Sequence, residues 1–227
     1  MSAADHRQSS LVFRRVLLLP LLAFAGGLSY AVLSLPDQTA GLSDRVAANM
    51  ETSGVSNSVT AVLLNFRGYD TLLEMAVLLV ALLGVWSLGS AVVHRRVDPE
   101  PVLSILVGGL VPMMILVAGY LLWVGASAPG GAFQAGSVLA ASGILLLLSG
   151  RHLPARLLGR PLRLVLVMGL GAFVAVGVTL LSTSGLFLQY PPGLAGALVL
   201  FIEAAATLSI GVTLAALFLG GRPDPDA

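Results

Sequence analysis

The sequence has no cysteine and no lysine, and charged residues make up only 10% of its 227 positions. The missing cysteines exclude disulfides, iron–sulfur clusters and thiolate metal sites within this chain. Soluble domains carry about 25% charged residues, so the composition argues against an ordinary globular protein. There is no basic patch with interleaved aromatics, and we expect no nucleic-acid partner. What dominates instead is apolar: 57% of the residues are hydrophobic.

The apolar residues are gathered into six long runs, each of 18 residues or more. A helix needs about 20 mostly apolar residues to cross a bilayer, with a lower limit of about 17. The sequence therefore predicts an all-α membrane protein with about six transmembrane helices. The runs are Val16–Leu35, Leu72–Val93, Leu103–Gly125, Ala132–Ser149, Leu162–Leu181 and Leu194–Leu219.

The arginines are distributed unevenly between the connections of these runs. If all six runs span the membrane, ten of the twelve arginines fall on one side, and only Arg45 and Arg67 fall on the other. The positive-inside rule then places both termini in the cytoplasm. A cleaved signal peptide is the alternative for the first run, because Arg14 and Arg15 precede it. That run continues to Leu35, however, which is longer than a usual signal-peptide core.

Glu203 is the one charged residue inside the last run. Nine residues of helix separate it from Leu194, which is about 13 Å, so it would lie near the middle of a hydrocarbon core roughly 30 Å thick. Ionisable groups at that depth are costly and commonly mark ion or proton pathways. Thr207 lies one turn further on the same helix face. A structural alternative stays open, in which a protonated Glu203 only bonds a neighbouring helix.

A polar motif precedes the second run, and it has two interpretations. Gly68 permits a turn with positive φ, and Arg67 can pair with Asp70 or Glu74. The spacing of Thr71 and Glu74 is that of a helix capping box, which would be purely structural. The alternative is that Glu74 and Asp70 contribute to an ion pathway. The motif is Asn65-Phe66-Arg67-Gly68-Tyr69-Asp70-Thr71-Leu72-Leu73-Glu74.

A second motif separates the third and fourth runs. Its proline and glycines break the chain, and Gln134 can satisfy backbone groups freed by the break. Ala132, Gly136 and Ala140 recur every four residues, a pattern that permits close helix packing. No strand precedes the glycines and no lysine follows them, so a phosphate-binding loop is not indicated. The motif is Ala128-Pro129-Gly130-Gly131-Ala132-Phe133-Gln134-Ala135-Gly136.

Both motifs resemble signatures of known membrane proteins. The first is similar to the hydrogenase-E-type domain found at the C-terminal end of the large A subunit of Mrp cation/proton antiporters. Arg67, Gly68, Asp70, Thr71 and Glu74 match its pattern, whereas Asn65 stands where an aspartate is common. The second resembles the P-G-G-G-F-Q-x-G signature of the Mrp B subunit, or MnhB-type domain. Pro129, Gly130, Gly131, Phe133, Gln134 and Gly136 match, and Ala132 replaces the third glycine.

The resemblance implies two domains joined at the polar connection His94–Glu100. Residues 1–93 would form a hydrogenase-E-like domain with two membrane helices. Residues 101–221 would form an MnhB-like domain with four.

The resemblance also implies a role in ion transport rather than an enzyme. The chain would be a multi-pass subunit of a Mrp-type Na⁺/H⁺ antiporter in a bacterial cell membrane. Its partners would be other subunits, including large proton-pumping subunits related to respiratory complex I, together with membrane lipid, Na⁺ and H⁺. Glu203, Glu74, Asp70 and Thr207 would belong to the ion pathway, with transient Na⁺ at Glu203 and no cofactor or resident metal. The alternatives are the same subunit in a redox-driven complex, such as a membrane-bound hydrogenase, and a structural subunit that moves nothing.

Overall fold

The computed structural model describes residues 3–35, 41–89, 101–151, 154–191 and 193–220, and these form helices and turns without a strand. The predicted all-α class is therefore confirmed for the described part of the chain. The predicted domain boundary, His94–Glu100, lies outside the described residues.

The chain divides into two compact units, of which the first is residues 1–42. Its one helix, α1, runs from Ala3 to Leu33 and contains Pro20. The side chains described for this helix, from Leu18 onward, are all exposed.

The second unit begins at Ser43 and contains the remaining helices. A short π-helical segment, Val62–Phe66, lies between α3 and α4. The α-helices are α2 (Ser43–Ser53), α3 (Ser58–Ala61), α4 (Gly68–Ser87), α5 (Pro101–Val124), α6 (Ala132–Leu148), α7 (Ala155–Leu158), α8 (Arg160–Ser184) and α9 (Ala195–Leu219).

Four helical segments of the described residues are long and apolar enough to cross a membrane: Gly68–Ser87, Val102–Val124, Arg156–Ser184 and Ala195–Leu219. The other two predicted spans correspond to the shorter apolar helices Leu18–Leu33 and Ala132–Leu148. At a rise of 1.5 Å per residue, the 17 residues of α6 cover about 26 Å. Six spans and cytoplasmic termini therefore stay predictions.

Helix α9 lies at the centre of the second unit and contacts α4, α5, α6 and α8. Its sequence explains this position, because it has small residues on several faces, including Ala205, Ala206, Gly211 and Ala216. Small side chains let neighbouring helix backbones approach closely, which is how helices associate in a membrane. The helices of the predicted spans three, four and five, which are α5, α6 and α8, thus all contact α9.

Glycines mark the closest helix crossings. A Cβ placed on Gly136 of α6 would lie 2.9 Å from Ile210 Cγ2 on α9, so the prediction that Gly136 lies at a crossing is confirmed. On another face of α9, a Cβ on Gly169 of α8 would lie 2.8 Å from the Ser209 Cβ. The Ser209 hydroxyl also donates a hydrogen bond to the Leu166 carbonyl, at 2.6 Å. These contacts fix α6 and α8 against α9.

The second predicted span begins earlier than its apolar run indicated. We expected Leu72, but α4 starts at Gly68, directly after the π-helical segment. A π-helical segment pairs its backbone carbonyls differently from an α-helix. Here two of these carbonyls accept hydrogen bonds from side chains. The Thr71 hydroxyl donates to the Leu63 carbonyl at 2.7 Å, and the Tyr190 phenol donates to the Leu64 carbonyl at 2.9 Å. Burial raises the pKa of Tyr190, so its phenol stays a proton donor.

Candidate functional site: a buried carboxylate at the start of a helix

Glu203 lies inside the protein rather than on its outer surface. Its residue is only 4% exposed, on the face of α9 that is packed against other helices. Eight residues of helix separate it from Ala195, where α9 begins, which places it about 12 Å along the helix. Its neighbours in sequence, Ile202 and Ala206, belong to the main hydrophobic core. The carboxyl group is therefore held in apolar surroundings, on a helix long and apolar enough to cross a membrane.

The polar partner of this carboxyl group is the start of α6. The Glu203 side chain accepts a hydrogen bond from the backbone N–H of Ala132, the first residue of α6. The first N–H groups of a helix have no partner within the helix, and the helix dipole makes this end favourable for negative charge. Glu203 thus supplies from α9 the cap that the sequence around α6 does not provide.

Gly131 makes this approach possible. Its backbone angles are φ 100° and ψ −171°, in a region that only glycine adopts without strain. A Cβ at this position would also lie 2.8 Å from the Glu203 Oε1, where the carboxylate now sits. The glycine motif and the buried acid, recognised separately in the sequence, form one site in the structure.

The other glycines of the motif close the turn that aims α6 at Glu203. The Gly131 N–H donates to the Leu121 carbonyl at 2.8 Å, which folds the turn back onto the end of α5. A Cβ on Gly130 would overlap that same carbonyl oxygen, and one on Gly125 would lie 2.6 Å from the Gly131 nitrogen. Pro129 is exposed at the outside of this turn.

Polar residues from the N-terminal half hold the turn in place. The Asn57 amide donates to the carbonyls of Gly125, at 3.2 Å, and Ala128, at 2.7 Å. The Thr60 hydroxyl donates to the Gly125 carbonyl at 2.6 Å, and the N–H groups of Ser56 and Asn57 both donate to Ala126. Asn57 and Thr60 were not predicted from the sequence as site residues. They could have been recognised by their position, because they are polar residues at the start of an apolar stretch that lies outside the predicted spans.

Gln134 does not hydrogen-bond to the backbone groups freed at this turn. Its side chain is exposed and makes no hydrogen bond to any described residue, so the prediction that it satisfies freed backbone groups receives no support. Phe133 packs partly buried against the main core and anchors the first turn of α6. Thr207 shares the buried face with Glu203, but its hydroxyl donates to the Glu203 backbone carbonyl at 2.7 Å.

The first motif forms a separate surface rather than a part of the Glu203 site. Arg67 and Asp70 form an ion pair, and their side chains are 64% and 50% exposed. An ion pair this exposed contributes about 0–1 kcal/mol to stability. Glu74 is exposed on α4. Because α4 starts at Gly68, Thr71 lies within its first turn, and the predicted capping box is wrong.

Gly68 is needed for space rather than for backbone conformation. Its φ is not positive, which corrects the predicted turn. A Cβ there would overlap the Leu188 side chain, in the connection between α8 and α9, and would lie 3.6 Å from Phe173. Next to it, the rings of Tyr69 and Phe187 stack with centroids 4.5 Å apart. The motif therefore joins α4 to the α8–α9 connection.

The chemistry available at the buried site is that of one isolated acid. The one ion pair among the described residues is Arg67–Asp70, so no described arginine neutralises Glu203. No group of three or more metal-ligating side chains occurs among the described residues either. A lone carboxyl group with a helix N-terminus on one side can bind and release a proton.

Comparisons with known proteins agree with this architecture. A family model described as a domain related to the MnhB subunit of Na⁺/H⁺ antiporter matches residues 102–220. A second model, which describes the E subunit of MBH, matches residues 14–101. No curated protein shows significant similarity to the chain.

Two solved structures share the fold. One is a chain of the membrane-bound sulfane sulfur reductase (MBS), an archaeal respiratory membrane complex, with TM-score 0.67 and 22% identity over 91% of this chain and 97% of that chain. The other is a chain of the Mrp complex from Dietzia sp. DQ12-45-1b, with TM-score 0.64 and 22% identity over 98% of this chain. This chain spans 26% of the length of the Dietzia chain.

Proposed function

This chain belongs to the family of domains related to the MnhB subunit of Na⁺/H⁺ antiporters, and from that premise we propose that it is a membrane subunit of a Mrp-type cation/proton antiporter complex. Its place would be a bacterial cell membrane, beside large proton-pumping subunits. The family match over residues 102–220 carries this proposal. Within that complex the chain would have a specific part, because Glu203 offers a protonatable group among its predicted membrane helices.

We propose that the ion bound at Glu203 is a proton. The simplest antiport site is one carboxylate for which a proton and a metal cation compete. Binding the cation there requires a shell of several oxygen ligands. The nearby turn offers few, because Asn57 and Thr60 already occupy the carbonyls of Gly125 and Ala128. The N-terminus of α6 is also the positive end of its dipole, which repels a cation. Both observations favour a proton over Na⁺ at this position.

Glu74 and Asp70 would serve at the surface of the subunit. An exposed carboxylate on a membrane helix is costly against lipid, so we propose that Glu74 faces another subunit or a water-filled path. Thr207 would support Glu203 by holding its helix turn, through the bond to the Glu203 carbonyl.

The test is antiport by the whole complex in everted vesicles from a sodium-sensitive, antiporter-deficient strain. In Glu203→Gln the amide oxygen can still accept the Ala132 N–H, so the cap survives while proton exchange at this side chain is lost. We expect exchange to fall at least severalfold with Na⁺, K⁺ or Li⁺ alike, with the complex still assembled. Glu51→Gln, an exposed acid on α2, is the matched control. Wild-type exchange by an assembled Glu203→Gln complex would refute the transport role.

A second candidate function is supported by one observation. The chain covers 97% of its match in the archaeal respiratory complex but 26% of the Dietzia chain. That favours the alternative of a subunit in a redox-driven membrane complex. Antiport in vesicles without any added reductant separates the two, since a purely redox-driven complex would then move no ions.

A further inference from the structure

An apolar groove opens between the C-terminal half of α6, the start of α8 and the C-terminal half of α9. Its volume is about 520 Å³, and leucines of the short helix α7 close one end. The wall is made of aliphatic side chains and glycines, and Arg151 is its one charged residue. Leu208 and Leu157, at its two ends, are 48% and 44% exposed, so the groove opens on the outer surface of the described structure. Glu203 and the turn before α6 do not line it.

The groove has the length of one membrane leaflet. It follows α9 from Leu208 to Leu219, and eleven residues at 1.5 Å each cover about 16 Å. Half of a hydrocarbon core roughly 30 Å thick is about 15 Å. It therefore runs from the middle of the bilayer to one edge, ending where α6 gives way to the arginine-rich connection.

The groove is too small to enclose a helix. Its volume is about 520 Å³, whereas a helix segment about 16 Å long and about 10–12 Å in diameter occupies roughly 1,300–1,800 Å³. A hydrocarbon chain is a far slimmer occupant, and it has no polar backbone to satisfy. The shape favours an acyl chain over a transmembrane helix of another subunit.

Positive charge is concentrated at the end of the groove. Arg151 lines it directly, and Arg156 and Arg160 are exposed in and after α7. None of them forms an ion pair with a carboxylate among the described residues. By the arginine distribution this is the cytoplasmic end, and basic pockets between membrane helices on that side suit anionic lipid head groups.

We propose that this groove is a binding site for an anionic phospholipid of the inner leaflet, with one acyl chain along α9 and its phosphate on Arg151. The inference depends on the chain spanning a membrane, but not on antiport or on Glu203. Such a lipid would fill the space between α6 and α8 and hold them at the spacing that the α7 connection sets.

The first experiment counts lipids on the purified complex by native mass spectrometry. The preparation is washed with detergent and then supplied with phosphatidylglycerol or with phosphatidylcholine. We expect phosphatidylglycerol to be retained, with occupancy falling severalfold in Arg151→Gln and in Ala215→Phe, which places a ring in the groove. Arg45→Gln and Leu116→Phe, on surfaces away from the groove, should retain wild-type occupancy. Equal retention of the two lipids, or unchanged occupancy in both groove variants, would overturn the proposal.

A second experiment identifies what occupies the groove in the membrane. A photoreactive benzoyl-phenylalanine at position 208 is irradiated before the complex is extracted. Adducts with phospholipid support the assignment. An adduct with another subunit would show that a protein covers this face, and the lipid proposal would fail. Neither experiment measures transport, so their outcome is independent of the proposed function.

Discussion

At the level of single residues, Gly131 decides whether Glu203 can reach the start of α6. The carboxylate occupies the space where any other residue would carry its Cβ, and the backbone angles of Gly131 suit glycine alone. Ala132, where the resembling signature has a third glycine, contributes its N–H and not its side chain to this contact. The departure from the signature therefore leaves the site intact.

Gly131→Ala should damage both stability and transport. The strained backbone alone costs about 1–3 kcal/mol, and the new methyl group displaces the carboxylate from the Ala132 N–H. We expect a lower unfolding temperature of the complex and antiport reduced at least severalfold, measured by thermal denaturation and vesicle exchange.

Ala132→Gly is the matched control, since it removes a methyl group one position away. Glycine in a helix costs at most about 1 kcal/mol relative to alanine, and less at the first position. Its antiport should stay close to wild type. Loss of activity in Ala132→Gly equal to that in Gly131→Ala would contradict the role given to Gly131.

At the level of helices, the contact between α6 and α9 depends on where the glycines fall. Gly136 and Gly143 lie two turns apart on α6, but only Gly136 meets α9 at close range. A Cβ on Gly143 would find its nearest neighbour, the Ala215 Cβ, at an ordinary 3.9 Å. The two positions therefore provide a test of packing within one helix pair.

Gly136→Ala should push α6 away from α9 and destabilise the subunit. Insertion of a methyl group into a filled interface typically costs about 1–3 kcal/mol, whereas Gly143→Ala should be neutral or slightly stabilising. Thermal unfolding of the two variants in the same detergent measures the difference. Equal unfolding temperatures would show that the crossing is looser than described.

The position of α4 shows how tertiary contacts can move a helix end. The apolar run predicted a start at Leu72, but Thr71 and Tyr190 satisfy the carbonyls of the π-helical segment and let the helix begin at Gly68. Gly68 then packs beneath Leu188. The capping box was wrong for the same reason, because Thr71 bonds backward to a carbonyl that only the folded segment presents.

For the molecule as a whole, the predicted topology makes a direct accessibility test possible. The chain has no cysteine, so a single introduced cysteine is the one site for a thiol reagent. Ser127, between α5 and α6, and Gly159, between α7 and α8, are both exposed and belong to the connections that precede and follow α6.

We expect a membrane-impermeant maleimide to label Ser127→Cys in intact cells and Gly159→Cys only in everted vesicles. This outcome follows from the arginine bias, which places the connection before α8 in the cytoplasm. The reverse pattern would invert the orientation. Labelling of both cysteines from the same side would show that α6, the shortest predicted span in the second unit, does not cross.

The amino-acid sequence by itself determined that the protein is helical, roughly where its helices lie, and that an acid is present within one of them. Long apolar runs permit only structures that satisfy their own backbone in a membrane, and that constraint is local. The tertiary structure alone decided which groups meet. Glu203 and Ala132 are far apart in the chain, and Asn57 reaches carbonyls about seventy positions away. Periodic patterns in the sequence do not reveal such contacts, because the contacts arise from how the helices pack around α9.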